Sequence, residues 1–131
     1  MTDAERNREL VEGFYRNDGS GGMAGLLSRL ADDVAIVEPP FLPFGRTFRG
    51  RDGFREVFRE VGRYLDLADV RLEYTVADGD RVIACLSIPD RATGRPVCLL
   101  EQSTVRDGAI AEIKLFYHDV GTMIDKASRP A

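Results

Sequence analysis

The sequence has no tryptophan, a single histidine and only two cysteines, and each scarcity removes a class of site. With His118 alone, a multi-histidine metal centre within one chain is excluded, and no metal is expected. Cys85 and Cys98 lie inside apolar runs without Cys-x-x-Cys spacing. A turn at Arg91-Ala92-Thr93-Gly94 would set Cys85 opposite Leu100 and Cys98 opposite Ser87, leaving both thiols free, as a reducing compartment allows. Positive charge is also short: 18 basic against 22 acidic residues give a net charge of −4. That is no footprint for a phosphate backbone, so no nucleic-acid partner is expected. The longest uninterrupted apolar run, Val82 to Leu86, falls far short of the ~20 residues that span a bilayer, so no membrane partner is expected either. The stretch Asp18-Gly19-Ser20-Gly21-Gly22 lacks the preceding strand and following lysine of a phosphate-binding loop. The first residues, Met1-Thr2-Asp3-Ala4-Glu5, are acidic and polar, so neither a signal nor a transit peptide is expected and the location reads as cytoplasmic.

What is present reads as one α+β domain over residues 1–131, with 44% hydrophobic and 31% charged residues, the balance of an ordinary globular chain. Thr2-Asp3-Ala4-Glu5 forms a capping box ahead of Leu10, Val11, Phe14 and Tyr15, which predicts a helix to about Arg16. The glycines between Asn17 and Gly22 end it. Met23, Leu26, Leu27 and Leu30 predict a short second helix, Asp32-Asp33 its stop, and Val34–Val37 a short strand. The proline-rich run Pro39 to Gly45 predicts an irregular loop, and residues 39–49 are expected to shape the mouth of any cavity. Asp52 starts a third helix with Phe54, Val57, Phe58 and Val61 on one face, closing near Gly62. Segments 68–77, 81–89, 95–106 and 109–118 then alternate or run apolar between turn signals at Asp78-Gly79, Ala92-Thr93-Gly94 and Asp107-Gly108. Together they predict a four-stranded antiparallel meander, and hence helices layered on a sheet.

The runs Leu30-Ala31-Asp32-Asp33-Val34-Ala35-Ile36-Val37-Glu38-Pro39-Pro40 and Phe48-Arg49-Gly50-Arg51-Asp52-Gly53 resemble the SnoaL-like and ketosteroid-isomerase-like branch of the NTF2-like superfamily. So do Ala77-Asp78-Gly79-Asp80-Arg81-Val82 and Val105-Arg106-Asp107-Gly108-Ala109-Ile110, so the resemblance spans about residues 6–119. It implies an NTF2-like conical barrel, with three N-terminal helices packed on a curved, mainly antiparallel sheet around an apolar cavity. It also implies a homodimer formed through the sheet, no cofactor, and a small apolar molecule in the cavity. In ketosteroid isomerases the general base is a carboxylate just before a proline, a position that Glu38 occupies here. The family's second acid lies on the third long strand, where this chain has Glu101. Its first-helix tyrosine has no counterpart at Leu10 or Val11; Tyr15, a turn later, could replace it only if the helix is shifted.

Abstracting a proton beside a carbonyl needs a base poised near the working pH and a donor facing the developing enolate. Two carboxyl groups in an apolar cavity can supply both, because desolvation raises their pKa. In that scheme Glu38 is the base and Glu101 the protonated donor, with Tyr15, Phe41, Phe44, Phe54, Phe58, Leu99, Ile113 and Tyr117 as substrate-binding walls. The plain alternative for Glu38 is a solvated loop carboxylate. For Glu101 the turn decides: a two-residue loop at Asp107-Gly108 sets it opposite Lys114 in a surface ion pair, worth ~0.2–1 kcal/mol. A three-residue loop with a G1 bulge sets it opposite Ile113, on the core face with Leu99, Leu115 and Tyr117. The second register suits the family cavity and is carried forward. His118, alternating with Tyr117, should face outward. Arg46, Arg49 and Arg51 are either a solvated loop cluster or a clamp for an acidic or enolate substrate.

The leading expectation is a cofactor-independent isomerase or cyclase acting on a small steroid- or polyketide-like carbonyl compound. An epoxide hydrolase of the same fold would need an inward arginine, Arg81 or one from the 46–51 cluster, to bridge carboxylates. A third alternative is a non-catalytic module that binds an apolar ligand or serves dimerisation.

Overall fold

In the computed structural model, which describes residues 1–17 and 22–124, the first helix begins where the hydroxyl of Thr2 accepts the amide of Glu5 at 3.1 Å. Only the Thr2 half of the expected capping box forms; the Glu5 carboxylate makes no return bond. Helix α1 spans Asp3–Arg16 and closes at Asn17, whose left-handed φ of 47° aims its N–H at the carbonyl of Gly13, 2.7 Å away. The glycine run expected to end this helix falls at 18–21, outside the described residues. Helix α2 covers Gly22–Leu27 and α3 Gly50–Val61. No side chain caps the start of α3, an omission worth ~1 kcal/mol. Burial of Phe54, Val57 and Val61 more than compensates, at ~1.5–3 kcal/mol for each large side chain.

Strand β1 runs Leu30–Val37, β2 Thr47–Arg49, β3 Arg71–Asp78, β4 Arg81–Pro89, β5 Pro96–Arg106 and β6 Ala109–Tyr117. They form one six-stranded sheet in the order β2-β1-β6-β5-β4-β3. Only the β1–β6 pairing is parallel. Two expectations are corrected here. Leu30 belongs to β1 rather than to the second helix, because it pairs with Ile110 and is buried. Asp32 and Asp33 do not stop an element; they face outward from an irregular stretch of β1 and meet Arg51 at 3.3 Å and Arg106 at 2.5 Å. The three-residue β2 and a 3-10 turn over Leu67–Asp69 are too short to leave a periodic signal.

The meander forms as expected, within a few residues at each strand end. Cys85 stands opposite Leu100 and Ser87 opposite Cys98, and both cysteines are free. The β5–β6 turn is the two-residue loop of the first alternative, but Glu101 takes neither expected partner. Asp107 and Gly108 both have positive φ, 51° and 76°, the requirement of a two-residue I′ turn. The pairing then steps between Val105↔Ile110 and Thr104↔Glu112, so Ala111 is an extra residue on β6. Beyond that bulge Glu101 stands opposite Leu115, not Lys114 or Ile113. An odd number of inserted residues returns Glu101 to the inner face. Helices α1 and α3 cover that face, and the core between them includes Val11, Phe14, Phe54, Val57, Val82, Leu86, Leu99 and Ile113. Among the described residues no helix is long and apolar enough to cross a membrane.

Candidate functional site

Three neighbouring strands build the floor of the site. The parallel register Val37↔Lys114 continues one residue to set Glu38 beside Leu115, and the amide of Glu38 still bonds the carbonyl of Arg46 at 3.1 Å. Leu115 in turn faces Glu101 across β6 and β5. Glu38, Leu115 and Glu101 therefore form one row on the inner face, the two acids separated by two strand spacings, ~9.6 Å at the backbone. Above this row lies a cavity of about 500 Å³. Phe14, Tyr15, Met23, Leu26, Phe54 and Phe58 line it from the helices, and Ile36, Glu38, Leu99, Glu101, Ile113, Leu115 and Tyr117 from the sheet.

Each acid has a tyrosine. The Tyr15 hydroxyl donates to Oε1 of Glu101 at 2.6 Å, and the Tyr117 hydroxyl donates to Oε1 of Glu38 at 3.2 Å. Tyr15 thus reaches the cavity from the last turn of α1. Glu38 is 5% exposed, so it is not a solvated loop carboxylate. Burial, then the neighbouring charge of Glu101, raise its pKa to about 8 against the opposing Tyr117 bond. Burial raises Glu101 to about 7, with the Tyr15 bond pulling the other way. Glu101 has measurable accessible surface, but that surface faces the cavity, so desolvation dominates. Both tyrosines are pushed above their ordinary value, first by burial and then by the adjacent carboxylates.

Of the ten residues expected at the site, eight meet in this cavity: Glu38, Glu101, Tyr15, Phe54, Phe58, Leu99, Ile113 and Tyr117. Phe41 and Phe44 do not. The 39–45 loop folds on itself through Leu42 N–H to Pro39 O at 3.1 Å and Gly45 N–H to Leu42 O at 2.9 Å. It therefore turns Phe41 into solvent, 57% exposed, and Phe44 into the core, 5.9 Å from the ring of Tyr64. No residue of 39–49 lines the cavity, so this loop does not form its mouth. Met23 and Leu26 were missed, because they sit on a helix of six residues. His118 is exposed, as its alternation with Tyr117 requires.

The arginines expected of an epoxide hydrolase are elsewhere. Arg81 is exposed, and Arg46 is held by Glu56 at 2.7 Å and Glu60 at 2.6 Å with its guanidinium 4.1 Å over Phe48. Arg51 pairs with Asp32 and Arg49 is exposed, so the 46–51 cluster is not a substrate clamp. Arg16, also exposed, is the arginine among the described residues that lines the cavity.

A curved, mainly antiparallel sheet wrapped on three helices around an apolar cavity defines the NTF2-like α+β fold. Residues 11–113 match the SnoaL-like domain, and the chain belongs to that family. Solved structures agree on the fold. An NTF2-like protein from Burkholderia xenovorans is 20% identical with a TM-score of 0.72, covering 96% of this chain and 98% of its own. A protein provisionally assigned as a ketosteroid isomerase, from Kribbella flavida, is 18% identical with a TM-score of 0.72, covering 92% and 83%. TerC, co-crystallised with polyporic acid, is 23% identical with a TM-score of 0.70, covering 86% and 91%. No curated protein matches the sequence.

Proposed function

We propose that this protein is a cofactor-independent isomerase or cyclase that moves protons on a small apolar carbonyl compound. The observation that carries the reading is a pair of buried carboxyl groups facing one apolar cavity, each bonded to a tyrosine. Its family includes isomerases and cyclases, which is consistent with that chemistry.

Two groups this close share their titration, and around neutrality the pair carries one proton. The bond lengths assign that proton to Glu38: the 2.6 Å bond from Tyr15 to Glu101 has the length of a hydroxyl donating to a charged oxygen, whereas the 3.2 Å bond at Glu38 does not. Glu101 is then the base: it takes the proton from the carbon beside the carbonyl, and the electron pair moves onto the carbonyl oxygen. Neutral Glu38 donates a hydrogen bond to that oxygen. Glu101 returns the proton at the distal carbon in an isomerisation; in a cyclisation the enolate carbon attacks a second carbonyl of the same molecule, whose π bond breaks, and Glu101 gives its proton to the resulting alkoxide. These roles reverse the assignment made from the sequence alone.

The test is deuterium uptake by a panel of cyclic β,γ-unsaturated ketones in heavy water. Glu101→Gln should slow exchange by ~10³-fold or more, and Glu38→Gln, whose amide can still donate, by ~10–100-fold. The wild-type rate should follow a narrow bell whose two limbs are the apparent titrations of the pair, about 7 and about 8. Exchange unaffected by either substitution would leave a binding module as the better reading.

The same reading includes a homodimer through the outer face of the sheet. There Tyr74, Cys85, Leu100 and Phe116 form a row across β3, β4, β5 and β6. Tyr74, Leu100 and Phe116 are 55%, 38% and 46% exposed, an apolar strip that a second copy would cover. Sedimentation equilibrium should give twice the 14.6 kDa chain mass, and Phe116→Glu should return it to the monomer; a monomeric wild type sinks the assignment.

A further inference from the structure

A second hollow of about 430 Å³ lies against the outside of the cavity and shares Phe58, Leu67 and Ala68 with it. Its other walls are cationic. Arg59 lies in the last turn of α3, Arg63 just beyond its end, and Arg91 comes over from the β4–β5 loop. Arg91 is fixed there, its Nε donating to the carbonyl of Gly62 at 2.5 Å.

The guanidinium groups of Arg59 and Arg63 form no ion pair or hydrogen bond among the described residues. Arg6, Arg46, Arg51, Arg55, Arg71 and Arg106, by contrast, each pair with a carboxylate. The helix dipole favours one cation at the end of α3, but it does not account for three converging on one hollow. Guanidinium forks are suited to the paired oxygens of a carboxylate, sulfonate or phosphate.

We propose that this hollow is an anion subsite continuous with the cavity, so that the bound molecule is amphipathic. Its apolar body fills the cavity and its anionic group reaches Arg59 and Arg63. The inference rests on the proposed reading only for the cavity as a ligand site, not for the carboxyl chemistry.

Two fluorescent probes separate these ideas, because they share an apolar body and differ by one sulfonate: 1-anilinonaphthalene-8-sulfonate and N-phenyl-1-naphthylamine. The wild type should bind the sulfonate about tenfold more tightly, the scale of one charge-assisted contact. Arg59→Gln/Arg63→Gln should remove that tenfold and leave the uncharged probe unchanged, which also reports that the variant is folded. Arg8→Gln/Arg81→Gln, an equal charge change at exposed residues outside both hollows, should alter neither affinity. Equal affinity for the two probes in the wild type overturns the subsite while leaving the cavity standing. An equal loss in the control pair reduces the effect to net charge and also overturns it. Failure of the uncharged probe to displace the sulfonate would mean a free-anion patch unconnected with the cavity. If neither probe binds, the ligand cavity falls together with the subsite.

Discussion

Asp90 and Glu38 are both nearly excluded from solvent, 1% and 5% exposed, yet the fold treats the two carboxyl groups in opposite ways. Burial pushes the pKa of each upward. At Asp90 the surroundings more than cancel it: the amides of Ala92 at 2.8 Å and Thr122 at 2.7 Å, the amide of Thr93 at 3.3 Å and the Thr122 hydroxyl at 3.0 Å all donate to it. Its pKa ends below the ordinary value. At Glu38 one tyrosine donates at 3.2 Å, and the charge of Glu101 adds to the effect of burial. Burial therefore does not decide the protonation state of a carboxyl group; the number of aimed donors does. Asp90 is a charged clasp joining the β4–β5 turn to the segment after β6, and Gly121, at φ 55° beside Asp90, leaves room for no side chain. At Glu38 burial prevails, and its pKa ends above the ordinary value, at about 8.

The sharpest way to break the contrast is to remove the clasp. Asp90→Ala orphans three backbone donors and a hydroxyl, and should cost about 3 kcal/mol in urea unfolding at neutral pH. Because the folded pKa of Asp90 lies below its unfolded value, its contribution is present above pH ~4 and is lost as pH falls through the folded pKa. The deficit of Asp90→Ala should therefore shrink in acid. A deficit that stays constant down to pH 2 would mean that packing, not charge, holds the segment.

The two carboxyl groups also differ in how far they could be read ahead of the structure. Glu38 stood out because it directly precedes Pro39 in a recognisable run, while Asp90 carried no signal; it sits before a turn, where an aspartate is ordinary. The meander was legible because its turns are written in Asp-Gly and Thr-Gly pairs that dictate backbone sign. The single residue Ala111 was not legible, since a bulge is set by how β6 must twist to lie beside both β1 and β5. That residue decides which face Glu101 occupies. The inner face was reached by a different route from the expected G1 loop. Phe41 and Phe44 misled for a related reason: hydrophobicity says that a ring seeks cover, but the loop's own hydrogen bonds determine which ring receives it. Tyr15 was legible as a core residue of α1, whereas its bond to Glu101 spans 86 positions and depends on how α1 lies over β5.

A smaller effect sharpens the same comparison from the side of Glu38. Its folded pKa of about 8 lies well above that of a free glutamate, ~4.3. Between those values the unfolded chain has released a proton that the folded chain retains. Stability contributed by Glu38 is thus complete below pH ~4, falls as pH rises through that window, and is lost above about 8. Glutamine keeps nearly the same shape and never ionises, so Glu38→Gln should match the wild type at pH 4–5 and exceed it at pH 8.5 by on the order of 2 kcal/mol. The slope is opposite in sign to that of Asp90, where raising the pH adds stability. A variant no more stable than the wild type at pH 8.5 would show that Glu38 is adequately solvated or paired when charged, and would remove the physical basis for holding it neutral in the cavity. A gain in stability matched by a loss of deuterium exchange would identify the strained carboxyl as one the fold retains at a cost for its chemistry.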